Sequence, residues 1–122
     1  MDYKGDSFKA EWADGILLVE FYKLTDDTFN LFNIVLDAAI EQAPFNAIWD
    51  FRQAKHPGYL ALPKLIYKSS LVYSKTNLKV IRASILVPSQ YLNVVSPIVN
   101  AINPKDSSYI GLNPIEARAF VN

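Results

Sequence analysis

The sequence predicts a single α/β domain in which a β-hairpin is followed by alternating helices and strands. Near the N-terminus, apolar residues alternate with charged ones in the period-two pattern of a half-buried strand. Further along, segments with apolar residues at helical spacing alternate with short apolar runs, which is typical of strands joined by right-handed crossovers. No repeat or Gly/Ser-rich linker divides the 122 residues. We therefore expect one domain over residues 1–122, with a mixed sheet of about five strands and four helices.

The hairpin is predicted from the first 22 residues. Residues 8–12 alternate apolar and charged side chains, as in a strand with one buried face. Asp14 and Gly15 then supply a tight turn, because glycine tolerates the positive φ that such a turn requires. Residues 16–22 are more uniformly apolar, which indicates a returning strand covered on both faces.

A helix and a strand follow the hairpin. Residues 26–42 place apolar side chains on one helical face, with Thr25 as N-cap and two aspartates in the first turn. Pro44 ends this segment. Residues 45–51 are then mostly apolar and predict a buried strand.

The second half of the chain continues the alternation. A helix is expected to begin between Tyr59 and Pro63, since proline is tolerated in a first turn. Lys79–Val87 predicts a strand. Ser89 is predicted to cap a third helix, which Pro97 should kink or break.

The chain ends in a predicted strand and helix. Tyr109–Leu112 forms the strand, and Asn113 begins a capping box that Glu116 would complete, with proline at the first helical position. The final helix is expected to pack through Ala117, Phe120 and Val121.

Composition excludes several classes of function. The 51% apolar content argues against disorder, and the absence of cysteine removes thiolate nucleophiles, disulfides and Cys-based zinc sites. A single histidine, His56, argues against a multi-histidine metal site, and no glycine-rich nucleotide motif occurs. Charges interrupt the N-terminus, and no apolar run approaches the ~20 residues of a spanning helix. We expect a cytoplasmic protein with no cofactor, no metal and no transmembrane segment.

The zero net charge conceals a strong polarity along the chain. Residues 1–50 carry ten acids and three lysines, whereas residues 51–105 carry eight bases and no acid. One interpretation is that the two halves interleave in the fold and neutralise each other. The other is a basic face that meets an acidic partner, an anionic ligand or the acidic face of a second copy.

Two segments carry a resemblance to a known family. Ile48–Phe51 is an apolar strand that ends in aspartate plus an apolar residue, and Asn113–Ala117 with Phe120 forms a small polar cap, an acidic-Ala pair and a hydrophobic residue. Together with the element order over roughly residues 8–121, they resemble the STAS domain of bacterial anti-sigma-factor antagonists. The resemblance implies the STAS fold and a role in binding other macromolecules.

The chain departs from that family at its phosphorylation site. The family carries a phosphorylated Ser or Thr in the loop and helix start after the third strand. Residues 51–63 of this chain contain neither residue type. The resemblance therefore does not extend to a phosphorylation switch at this position.

The predicted site is the Asp50–Gly58 loop and the start of the following helix. Open α/β sheets bind ligands beyond the carboxyl ends of their parallel strands, and a helix that follows such a loop offers free N–H groups to an anion. The alternative is a solvated loop that only turns the chain. The candidate binding residues are Asp50, Arg52, Lys55, His56, Tyr59, Lys64 and Lys68.

These residues favour a non-catalytic regulatory or scaffolding module that binds a protein partner, with self-association as a variant. Basic side chains would steer an acidic partner, and Tyr59 would supply contact area. The second hypothesis is a binding protein for a small apolar or anionic ligand near the loop. An enzyme in which Asp50 orients His56 ranks third. Tyrosines and lysines interleave around the second helix, but a pI near 6.6 argues against nucleic acid as the partner.

Overall fold

The computed structural model describes residues 2–41, 44–55, 80–102 and 108–122. Within these ranges the chain is an α/β structure with six strands and three α-helices. The helix predicted to begin between Tyr59 and Pro63 lies outside the described residues. The strands are β1 (Tyr3–Lys4), β2 (Phe8–Ala13), β3 (Ile16–Phe21), β4 (Phe45–Asp50), β5 (Val80–Leu86) and β6 (Ser108–Gly111), and the helices are α1 (Asp26–Ile40), α2 (Leu92–Ile102) and α3 (Pro114–Val121).

The six strands form one mixed sheet in the order of the sequence, β1-β2-β3-β4-β5-β6. The β1/β2 and β2/β3 pairs are antiparallel, and the remaining three pairs are parallel. The expected count of five strands is wrong by one. Tyr3 and Lys4 pair with β2, and the Tyr3 ring stacks on Phe8 with ring centroids 4.7 Å apart, which gives the sheet an additional edge strand.

The predicted hairpin turn is confirmed. Asp14 has φ 54° and Gly15 has φ 77°, so both central residues occupy the left-handed region. This is the arrangement of a type I′ turn, whose twist matches that of the two strands it joins. Aspartate tolerates this conformation better than most residues, and glycine adopts it without a steric cost.

The N-terminus of α1 is capped as the sequence predicts. The Thr28 backbone N–H donates to Thr25 Oγ1 at 3.3 Å, and the Thr25 backbone N–H donates to Thr28 Oγ1 at 3.3 Å, which closes a capping box. The helix ends at Ile40 with Glu41 as C-cap, before Pro44. The Thr28 side chain therefore both completes the capping box and packs in the interior, since it is fully buried.

One face of the sheet carries the larger core. Side chains that alternate along β2, β3 and β4 point toward α1 and α2, and their aromatic rings pack against one another. Phe21 stacks on Phe51 at 4.5 Å between centroids and meets Phe32 edge-on at 5.3 Å. Trp49 also meets Phe32 edge-on, with ring centroids 5.3 Å apart. These contacts hold the carboxyl ends of β3 and β4 in fixed positions.

The second face carries a smaller core beneath α3. Ala117 and Val121 of that helix pack on Ile16, Ile48 and Leu86, as the sequence predicts for Ala117 and Val121. Side chains of the sheet donate to carbonyl oxygens in the second half of this helix, whose last carbonyls have no intrahelical donor. Ser84 Oγ donates to Ala117 O at 2.7 Å, Arg82 Nη1 donates to Phe120 O at 3.2 Å, and Asn46 Nδ2 donates to Val121 O.

The segment after β5 differs from its prediction at Ser89 and, in part, at Pro97. Ser89 does not cap a helix. It begins a 3-10 turn (Ser89–Tyr91) after Pro88, and α2 starts at Leu92. Helix α2 continues through Pro97 up to Ile102, so the predicted break is wrong, whereas the alternative of a kink at Pro97 stays a prediction. Its apolar residues pack against the larger core through Leu92 and Val95, and tertiary contacts of this kind compensate for a proline in a helix.

Tyr109 connects β6 to the N-terminal turn of α3. The Asn113 side chain accepts from the Ile115 backbone N–H at 2.9 Å, which confirms the predicted cap. Glu116, the residue expected to complete a capping box, accepts a hydrogen bond from Tyr109 Oη at 2.7 Å. The Tyr109 ring lies over Gly111, and a Cβ on that glycine would collide with it. Glycine at position 111 therefore permits the Tyr109–Glu116 bond.

This bond predicts how stability depends on pH at the alkaline end. The hydrogen bond to Glu116 raises the pKa of Tyr109 above its ordinary value near 10, and burial adds to that effect. Because the folded protein holds this proton more tightly, the stabilisation is present below about pH 10 and is lost as pH rises through the raised pKa. In an ultraviolet titration of tyrosinates, Tyr109→Phe should remove the phenol that titrates at high pH. Glu116→Gln should lower the pKa of that phenol, and an unchanged titration would contradict the assignment.

Candidate binding groove

A groove of about 320 Å³ lies on the second face of the sheet, between β2 and α3. Its floor is apolar and consists of Leu18, Ile48 and Leu86, together with the backbone of β3. Charged residues surround this floor, and Pro114 of α3 forms part of one wall. The charged residues are Lys9, Glu11, Glu20, Asp50, Arg52 and Arg118.

Strand register explains this distribution of side chains. One row across the second face places Lys9 opposite Glu20, Glu20 beside Asp50, and Asp50 beside Leu86. The next row places Glu11 opposite Leu18. The four charged residues that belong to strands occupy positions that point away from the larger core, because successive side chains alternate between faces. The row nearest the carboxyl ends of β3 and β4 is therefore charged, whereas the next row on these two strands is apolar.

Asp50 and Arg52 form the best-defined polar pair in the groove. Arg52 Nε and the Arg52 backbone N–H both donate to Asp50 Oδ1 at 3.0 Å, and Arg52 Nη2 donates to Asp50 Oδ2 at 2.8 Å. Two parallel charge-assisted bonds of this kind fix the guanidinium in one plane. The hydrogen bonds to Asp50 raise the pKa of Arg52, and the charge of nearby Glu20 adds to this effect. The pair is formed by neighbours in sequence, so the groove presents it in advance of any ligand.

Arg118 spans the opposite end of the groove. Its Nη2 lies 3.7 Å from Asp14 Oδ2 in the β2–β3 turn, and the two side chains are 38% and 90% exposed. An ion pair this long and this exposed contributes little to stability, because water solvates both charges. The Arg118 guanidinium can therefore exchange Asp14 for an anionic group that enters the groove.

The structure brings together only part of the predicted site. Asp50 and Arg52 line the groove, whereas Lys55 is outside it. The Lys55 backbone N–H donates to Tyr22 O at 3.0 Å and continues the parallel pairing beyond the ends of β3 and β4, while its side chain is exposed. His56, Tyr59, Lys64 and Lys68 lie outside the described residues. Both Asp50 carboxylate oxygens accept hydrogen bonds from Arg52. Because His56 is outside the described residues, an Asp50–His56 pair stays a prediction.

Sequence reasoning missed most of the groove. It did not select Lys9, Glu11, Glu20 or Arg118, which come from β2, β3 and α3. One signal was present in the sequence. Glu20 interrupts a run that was expected to be covered on both faces, and a carboxylate at such a position indicates that one face is open there. The contribution of Arg118 could not be predicted, because it depends on where α3 crosses the sheet.

Across the described ranges, no helix is long and apolar enough to cross a membrane. Nor does this part of the chain hold a group of three or more His, Cys, Asp or Glu side chains that could bind a metal ion.

Comparison of the chain with family models, with curated proteins and with solved structures found no match.

Proposed function

We propose that this chain is a non-catalytic regulatory or scaffolding module that binds a protein partner through the groove between β2 and α3. The observation that carries the proposal is the combination of an apolar floor with charged walls of both signs. An apolar centre surrounded by polar groups is the usual construction of a protein interface, in which the centre supplies affinity and the charges fix orientation.

The polar contacts support a binding role. Asp50 and Arg52 are already joined by three hydrogen bonds, so little ordering of these side chains is needed when a partner arrives. Arg118 forms a long, exposed ion pair with Asp14 and can receive an acidic group of the partner in its place. Lys55 is exposed and lies beyond the carboxyl ends of β3 and β4, on the side of Asp50 and Arg52, where it adds to the attraction of an acidic partner.

The residues outside the described ranges enter the proposal from the sequence alone. His56, Tyr59, Lys64 and Lys68 follow Lys55 in the chain and carry the basic and aromatic character expected of a partner surface. The STAS-like architecture is part of the same proposal, as is a location in the cytoplasm. Because residues 51–63 contain no Ser or Thr, the proposed module lacks the Ser/Thr phosphorylation switch that the STAS family carries at this position.

A small-molecule ligand is the second candidate, and the size of the groove favours it. A volume of about 320 Å³ falls at the lower end of the range of small-molecule sites. The ligand would place an apolar body on Leu18 and Ile48 and an anionic group near Arg118. If a small molecule, and no protein, is found bound in the groove, the groove has this second function.

The proposal is tested by in-cell photocrosslinking from the floor of the groove. A photoreactive phenylalanine analogue is placed at Leu18 and, as a matched control, at Ile115, which is 77% exposed and outside the groove. We expect the analogue at position 18 to form one adduct with a protein. The analogue at position 115 should not form this adduct. The same adducts from both positions, or no protein adduct from position 18, would contradict the proposal.

A variant in which the charges of Asp50 and Arg52 are exchanged distinguishes an effect on partner binding from an effect on folding. The double variant Asp50→Arg with Arg52→Asp keeps a pair of opposite charges but reverses its direction in the groove. We expect its circular dichroism to match that of the wild type and its thermal midpoint to fall only slightly, because the exchanged charges still pair at a site whose side chains are 36% exposed at position 52 and 15% exposed at position 50. Crosslinking from position 18 should fall at least about tenfold, because reversed charges oppose the partner. Full crosslinking by this variant would show that the groove charges do not select the partner.

A further inference from the structure

The solvent-facing side of α1 combines exposed apolar and acidic residues. Leu31 is 40% exposed and Ile34 is 66% exposed, and they lie one turn apart on the helix surface. Asp27 lies one turn before Leu31, whereas Asp37 and Glu41 follow Ile34 at intervals of three and four residues. All three carboxylates are exposed. These five residues therefore form one continuous stripe, which we name the α1 stripe.

The charges of the α1 stripe violate a local rule of helix stability. The C-terminal end of a helix carries partial negative charge and favours Lys, Arg or His. The last turn of α1 contains no basic residue, and Asp37 and Glu41 place two carboxylates there instead. Positions at which a sequence violates local rules without compensation are commonly functional.

We propose that the α1 stripe docks a cationic amphipathic helix of a partner protein. Leu31 and Ile34 would pack against the apolar face of that helix, and its Lys or Arg side chains would pair with Asp27, Asp37 and Glu41. A cationic partner compensates the Asp37 and Glu41 carboxylates and the C-terminal end of the α1 dipole at once. An anionic or purely apolar partner would leave those charges uncompensated. This surface lies on the opposite side of the sheet from the groove, so the inference does not depend on the proposed function.

The probe is a fluorescein-labelled, amidated peptide of about 14 residues, built from Leu and Lys at helical spacing. We expect saturable binding to the full chain, measured by fluorescence anisotropy, and weaker binding at high salt. A control peptide with Glu in place of every Lys should not bind. Equal binding of the two peptides, or no binding of the Lys peptide at about 1 mM, would overturn the proposal.

Matched variants locate the binding surface. Ile34→Ser should weaken peptide binding at least about fivefold. Ile115→Ser changes another exposed isoleucine, outside α1, and should leave binding within about twofold. Asp37→Lys should weaken binding and also raise the thermal midpoint, because it places a cation at the helix C-terminus. Asp6→Lys makes the same charge change at an exposed site outside α1 and should do neither.

Two outcomes would assign the stripe differently. Equal losses in Asp37→Lys and Asp6→Lys would show only general electrostatic attraction of the peptide. A dimer of the wild type in sedimentation equilibrium that Ile34→Ser dissociates would show that a second copy of this chain covers the stripe. Either result would overturn the proposal.

Discussion

Replacement of Phe21 by alanine is expected to lower the free energy of unfolding by about 3–5 kcal/mol. Phe21 is 1% exposed and stands at the centre of the aromatic cluster. Its ring lies parallel to Phe51 at 4.5 Å, edge-on to Phe32 at 5.3 Å and tilted to Phe8 at 5.9 Å. The substitution removes a ring that three neighbours cannot replace without moving the strands that carry them, so a cavity remains.

Urea denaturation measures this effect, with two further variants as controls. Phe21→Leu fills most of the cavity and should cost less than Phe21→Ala. Ile115→Ala removes apolar atoms from a side chain that is 77% exposed, and should change the free energy of unfolding by less than about 0.5 kcal/mol. A loss below about 1 kcal/mol in Phe21→Ala would contradict the central position of this ring.

Asn46→Leu is expected to cost about 1–3 kcal/mol, because Asn46 satisfies two backbone groups at once. Pairing of β4 with β5 shifts between Phe45, opposite Val80, and Ala47, opposite Ala83, so β5 carries one extra residue. At this bulge the Arg82 backbone N–H donates to Asn46 Oδ1 at 3.1 Å. On its other side, Asn46 Nδ2 donates to Val121 O at the end of α3. Leucine retains the shape of the side chain and removes both bonds.

Hydrogen exchange resolves the two roles of Asn46. Asn46→Leu should raise the exchange rates of both Arg82 and the last turn of α3. Asn46→Asp keeps an acceptor for Arg82 but cannot donate to Val121 O, and it adds negative charge beside a helix C-terminus. It should therefore loosen α3 while Arg82 stays protected. Equal exchange of Arg82 in the wild type and Asn46→Leu would contradict the role of Asn46 at the bulge.

Local patterns predicted most of the elements. Alternation identified β2, helical spacing identified α1, and the residues Thr25, Asp14 and Asn113 marked caps and turns whose hydrogen bonds or dihedral angles are confirmed. These features depend on near neighbours in sequence. The failures depend on tertiary contacts. Strand β1 has only two residues and is stabilised by pairing with β2 and by stacking on Phe8.

Prediction of the groove was incomplete for the same reason. Asp50 and Arg52 were selected because they follow a strand, and they do line the groove together. Lys55 was selected by proximity in the chain, yet its backbone is bound to Tyr22 and its side chain does not line the groove. Glu11 and Arg118 reach the groove through strand register and through the crossing of α3 over the sheet. Neither relation can be obtained from residue spacing.

The most direct test of the central claim is native mass spectrometry of the chain recovered from its own source at low salt, in parallel with Leu18→Lys. Leu18 lies on the groove floor opposite Glu11, so a lysine there is expected to pair with that carboxylate and leave the fold intact. If the groove receives a protein partner, the wild type will carry an additional protein mass and the folded variant will lack it. The same complex in both samples, or the bare chain in both, would contradict the account.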